Sequence, residues 1–178
     1  EIKIKNLKEK KFKKGLIYIV NVDYESKKNA KKYLNKCFNK AFIILKGGFT
    51  NKFLNGPITK KNFLNKRFLG ITEFISHKFN VKKNAMLIYN KKLSVCPITT
   101  HLPISMVAKN INKKIIKEKV LLINDFYKKK FKIKPKIGIL GLNPHCESIK
   151  KINEDSTIVK PVIKSLKKLS YNISGPYS

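Results

Sequence analysis

The chain is expected to be an α/β protein with a mixed sheet and flanking helices, on three observations. Short apolar, β-branched runs alternate with longer segments whose apolar residues recur at helical spacing. Two apolar runs, 84–90 and 92–99, are joined by a Lys-rich turn at Asn90–Lys92, which reads as an antiparallel hairpin and argues against a purely parallel sheet. No Gly-x-Gly-x-x-Gly follows any apolar run, so the ordinary dinucleotide fingerprint is missing.

Taken in order, "GLIYIVNV" (15–22) is an unbroken apolar run and is expected to be a buried strand. Asp23 can cap the segment "YESKKNAKKYLNKCFNKA" (24–41), in which Tyr33, Leu34, Cys37, Phe38 and Ala41 share one helical face. "AFIIL" (41–45) is expected to be a second strand. The stretch 46–70 is long and rich in Gly, Asn and Lys, a pattern common in functional loops. "ITEFISHKF" (71–79) reads as a short helix with Thr72 near its start. After the hairpin, helices are expected over 102–111, with Pro103 in the first turn, and over 113–131. "PKIGILGLNPH" (135–145) is a strand running into a loop. The last helix, 153–170, has acidic residues at its start and lysines at its end, and Pro161 implies a kink or a late start.

The formal net charge is +31, a balance usual in nucleic-acid or anionic-surface binders. All but one of the 41 basic residues are Lys, and Arg67 is the exception. Lys, Asn and Ile make up 82 of the 178 residues. A/T-rich codons yield that composition whatever the function, and a dedicated reader of bases and phosphates uses Arg. The lysines are therefore read as solvated, with a basic nucleic-acid-binding protein kept as the alternative from another class. No apolar run reaches the length of a membrane span. Three cysteines without C-x-x-C spacing suggest reduced thiols and a cytoplasmic setting. Beginning at Glu1 without a Met and ending at "SGPYS", the sequence is expected to be part of a longer chain.

Two of the three histidines stand in matching places. His101 in "PITTHLP" and His145 in "LGLNPHC" each lie beyond the end of an expected strand and beside prolines. Ligands of open α/β sheets bind at that edge, and neutral imidazole suits zinc, cobalt and related divalent ions. Thr99, Thr100 and Asn143 could orient the rings. Two ordinary loop histidines are the competing reading. An open metal site needs a third ligand, and His77, inside a helix, reads as a surface or packing residue, so the third ligand would lie outside this chain or be a carboxylate. The loop around Gly56, Pro57, Thr59, Lys60 and Lys61 could hold an anionic group or be merely solvated.

In order and spacing, "NGPITK" (55–60), "GITEF" (70–74), "TTHLPIS" (99–105), "GLNPH" (141–145) and "ISGPYS" (173–178) resemble the 4-hydroxythreonine-4-phosphate dehydrogenase family of pyridoxal phosphate biosynthesis. The resemblance runs from about Gly15 to the end. It implies an isocitrate/isopropylmalate-dehydrogenase-like fold in two lobes and a homodimer with a metal site shared between subunits. It implies NAD-dependent oxidation of a secondary alcohol on a phosphorylated amino acid, 4-hydroxythreonine 4-phosphate. The β-keto acid formed then loses carbon dioxide to give 3-amino-2-oxopropyl phosphate. A divalent metal (Zn, Co or Mg) would polarise the alcohol oxygen. His101 and His145 correspond to metal ligands, and the third ligand and most NAD contacts are expected beyond Ser178. On that reading residues 1–178 are one fragment of a single two-lobed enzyme, lacking its N-terminal start and its C-terminal NAD-binding part. Thr72 corresponds to a substrate contact. Ile71 stands where the family usually has a substrate-binding histidine, and "HCES" stands in place of an "HAGE"-like turn. Lys60 is a candidate phosphate or carboxylate contact. A dehydrogenase of another phosphorylated hydroxy acid is the close alternative.

Overall fold

The computed structural model describes residues 11–26, 29–59, 63–64, 67–147 and 152–178. It divides into two compact units, Glu1–Phe68 and Leu69–Ser178.

In the first unit the main element is helix α1, Ala30–Lys46. The face expected from the sequence is the one that turns inward, with Phe38 and Phe42 buried and Tyr33, Leu34, Cys37 and Ala41 half-buried. Phe38 stacks on Phe63 with ring centroids 4.9 Å apart, and Phe53 meets Phe38 edge-on at 5.7 Å. Three expectations fail here. "AFIIL" is not a strand but the last turns of α1. Phe38 and Phe42, four residues apart, both serve the aromatic cluster, so the helical register persists until Gly47 donates its N–H to Ile43 and Gly48 turns to φ +76°. "GLIYIVNV" forms no strand among the described residues, and Ile17 is 93% exposed. Its inward lean has a period of two, with Tyr18, Val20 and Val22 half-buried, as in an extended segment. Asp23 does not cap the helix. Asn29 stands at its N-cap without a side-chain capping bond and its Nδ2 donates to Glu25 Oε2 at 3.2 Å, and Glu25 also pairs with Lys36 at 2.9 Å and Lys32 at 3.3 Å.

The second unit holds the larger core. Helix α2 spans Ile71–Lys78 and buries Phe74. The expected hairpin is reduced to one antiparallel bridge, Ile88 with Val95, whose N–H groups and carbonyls exchange bonds of 2.8 and 2.9 Å. Helix α3, Ile104–Asn110, begins after Pro103, which is its N-cap and not part of its first turn. Helix α4, Lys113–Phe131, has the expected limits, and the Asn112 side chain accepts the Ile115 N–H at 3.0 Å as its cap.

Strand β1, Ile137–Leu140, pairs in parallel with β2, Ile173–Tyr177, in the register Ile137 with Ile173 and Gly138 with Ser174. The last helix does not close the chain: β2 follows it. A π-helical segment, Asp155–Val159, leads into helix α5, Lys160–Lys168, with Pro161 in its opening turn. That wider turn is how the chain admits a proline whose nitrogen has no hydrogen to donate. Ile116 and Val120 of α4 close the core with Val159, Val162, Ile163, Leu166 and Ile173. Mixed α/β content holds as expected, but the only sheet among the described residues is this parallel pair. No helix among the described residues is long and apolar enough to cross a membrane.

Candidate functional site

His145 lies just past the C-terminal end of β1, as the sequence suggested, in a 3-10 turn Pro144–Cys146. Three consecutive amides hold the approach to it. Gly141 donates its N–H to the Tyr177 carbonyl at 2.7 Å, Leu142 to Asp155 Oδ1 at 2.8 Å and Asn143 to Asp155 Oδ2 at 2.9 Å. The Asn143 side chain adds a further bond to Asp155 Oδ2 at 2.9 Å and reaches Glu154 at 3.2 Å. Asp155 is fully buried. Burial alone would raise its pKa. The bonds from Leu142 and Asn143, with Lys160 nearby, outweigh that and hold it below the usual aspartate range. Gly141 is needed for space: a Cβ there would stand 2.6 Å from Cys146 Sγ. His145 and Cys146 take left-handed backbone angles, φ +54° and +57°, which residues with side chains seldom adopt.

His101 has the same unusual backbone, φ +57°, and its ring is exposed. Its Nε2 nevertheless reaches toward the start of α2. A Cβ built on Gly70 would lie 3.0 Å from His101 Nε2 and 2.8 Å from Glu73 Oε2. Gly70 has φ −156°, an extended angle any residue adopts, so glycine serves here for room alone. Glu73 Oε1 accepts a bond from Thr100 Oγ1 at 3.5 Å, while Oε2 is buried with no partner.

The structure thus sorts the residues singled out above into two clusters. His101, Gly70, Glu73 and Thr100 form one. His145, Asn143, Cys146 and Asp155 form the other. Thr72 and Ile71 are half-buried in the first turn of α2, beside Glu73 in sequence. Lys60 lies outside the described residues. The expected orienting groups act differently: Thr100 and Asn143 bind carboxylates, not the imidazoles. Sequence reasoning missed Glu73 and Asp155. Their signal was scarcity, since only ten acidic residues stand among 41 basic ones. His77 is exposed, and the three cysteines are free thiols. Burial pushes the Cys96 thiol up, against the opposing effect of Lys119.

Among the described residues no three His, Cys, Asp or Glu side chains gather as a metal site. The donors present still fit a divalent ion: an imidazole nitrogen and a buried carboxylate oxygen without a partner, set about one point over Gly70. Gly70→Ala tests the spacing. The new methyl pushes the Glu73 and His101 side chains apart, so divalent-ion affinity measured by calorimetry should fall about tenfold or more. The melting temperature should change little, because φ −156° costs alanine nothing. Unaltered affinity would show the gap to be incidental.

Comparison with known proteins follows the same residues. The family model of the pyridoxal phosphate biosynthetic protein PdxA matches residues 2–178. A 4-hydroxythreonine-4-phosphate dehydrogenase from a Sulfurihydrogenibium species is 41% identical over 126 residues, covering 68% of this chain and 39% of that protein. One from Wigglesworthia glossinidia brevipalpis is 38% identical over 146 residues, covering 80% and 42%. The chain therefore spans about two-fifths of the length of these curated relatives. The crystal structure of a 4-hydroxythreonine-4-phosphate dehydrogenase from Klebsiella pneumoniae shares the fold, with a TM-score of 0.72 and 23% identity over 83% of this chain and 45% of that one. With both histidine loops inside the matched span, the chain belongs to the PdxA family of pyridoxal phosphate biosynthetic proteins.

Proposed function

We propose that the protein acts in pyridoxal phosphate biosynthesis as a cytoplasmic, homodimeric dehydrogenase of 4-hydroxythreonine 4-phosphate. The net reaction oxidises a secondary alcohol on a phosphorylated amino acid with NAD, and the β-keto acid loses carbon dioxide to leave 3-amino-2-oxopropyl phosphate. The observation that carries this reading is the family match along residues 2–178.

His101 and His145 are the residues that would hold a divalent ion, shared with the second subunit. When bound, that ion supplies Lewis-acid polarisation of the alcohol oxygen and of the carbonyl it becomes. The chain's own part is preorganisation. The amides of 141–143 are already bonded, so the His145 loop is held before substrate arrives. Thr72 contacts the substrate from the first turn of α2, and Lys60 meets its phosphate or carboxylate. Ile71, where a histidine is usual in the family, offers an apolar surface in place of a polar contact. Any substrate that fits this chain must do without that bond.

The test is metal content. His101→Ala and His145→Ala, each made in the intact protein, should abolish stoichiometric divalent-metal binding while circular dichroism stays native. Both imidazoles are exposed, so truncation leaves no cavity. Full metal content in both variants would refute the assignment.

A further inference from the structure

Glu73 is the one acidic side chain among the described residues with a buried oxygen that has no hydrogen-bond partner. Leaving such an oxygen unpaired is costly, and in native proteins an orphan of this kind usually marks a missing donor or cation. Its surroundings say which. The other oxygen is tied to Thr100, so the carboxylate is held on its loop-facing side and presents Oε2 inward. A Cβ built on Gly70 would lie 2.8 Å from Oε2 and 3.0 Å from His101 Nε2, so both atoms border the same space, and no hydrogen bond joins the two. Both atoms face the volume that glycine leaves empty, at a position whose backbone angles would accept any residue. His101 is meanwhile held in a left-handed conformation that residues with a side chain seldom adopt unless neighbours enforce it.

We propose that Glu73 Oε2 is a direct contact of the divalent cation held by His101, making this carboxylate an additional ligand of the site. A carboxylate oxygen beside an imidazole nitrogen is a donor pair suited to zinc, cobalt or manganese. The cation cancels the charge of a carboxylate that the fold otherwise leaves half-satisfied. The inference rests on His101 being a metal ligand, and the experiment separates the two ideas.

Cobalt(II) is titrated into the intact apoprotein and followed by its visible absorption and by calorimetry, for the native protein and for Glu73→Gln, Glu73→Asp and His101→Ala. Melting of each apoprotein is recorded as a check on folding. Glu73→Gln should bind cobalt at least about tenfold more weakly with an altered visible band, and Glu73→Asp should recover part of the loss. Loss of affinity in His101→Ala together with native affinity and spectrum in Glu73→Gln would overturn the role of Glu73 and leave the histidine assignment standing. Native affinity in His101→Ala would remove the foundation of both. A raised KM for substrate in Glu73→Gln with unchanged cobalt binding would assign Oε2 to the substrate ammonium group instead, and would likewise overturn the proposal. Should Glu73→Gln melt early as an apoprotein, Glu73→Asp decides: it must bind cobalt more weakly than native protein for the proposal to hold.

Discussion

Asp155→Ala should destabilise the protein by about 3–5 kcal/mol and free the His145 loop. The carboxylate is fully buried and accepts three bonds from Leu142 and Asn143. Removing it strands two backbone N–H groups in a place water does not reach and leaves the Asn143 amide with its Glu154 bond alone. Asn in its place keeps the shape but loses an acceptor and the charge, so Asp155→Asn should fall between the two. The loop effect is separable from global stability. Hydrogen exchange at the amides of 142 and 143 should quicken more than exchange in the core of α4. Equal acceleration in both places would mean that Asp155 supports the whole unit and not the loop.

The same residue sets a pH dependence whose sign follows from its shift. Burial raises the pKa, but the bonds it accepts outweigh burial and leave the folded value below that of the unfolded chain. Its stabilisation is therefore fully present above the ordinary aspartate pKa of about 4 and is lost as pH falls through that value toward the depressed one. Denaturant unfolding should show native stability dropping over that acid range. In Asp155→Asn this part of the dependence should vanish, and an unchanged slope would count against it.

Gly175→Ala carries the second large effect, a loss of about 3 kcal/mol or more. Gly175 sits in β2 at φ +118°, where a side chain is strained whatever the space around it. A Cβ would also collide with the carbonyl of Ile139 in β1, and a backbone oxygen inside a paired strand cannot rotate away. Relief would require the two strands to part. That movement would also draw Tyr177 from the Gly141 N–H, so the variant should loosen the His145 loop along with the sheet. Chemical denaturation gives the stability, and metal titration gives the loop. A stable variant with native metal affinity would show that β2 does not position His145.

Elements whose neighbours lie close in sequence were legible. Helix α4 has a complete amphipathic pattern and its own Asn112 cap, so its limits could be read without the rest of the molecule. Segment 41–45 could not be. Five apolar residues satisfy a strand or a buried helix equally, and the choice fell to Phe53 and Phe63, which gather Phe38 and Phe42 on one side. "GLIYIVNV" differed in the other direction: strand propensity favours an extended backbone, and the segment forms no strand among the described residues. "ISGPY" carries no strand signal, because Gly and Pro are poor strand residues. It pairs with β1 because Gly175 alone can approach Ile139 so closely.

By itself the order of residues along the chain determined the α/β character, the long amphipathic helices, the family and the two proline-flanked histidines. All of these depend on composition, period or local motif, which act over a few residues. Only the tertiary structure decided which acidic side chains matter. Glu73 and His101, 28 positions apart, border the same space over Gly70, and Asp155 reaches back to the amides of Leu142 and Asn143. The worth of a carboxylate comes from its burial and from the donors that face it, and neither exists until distant segments have packed.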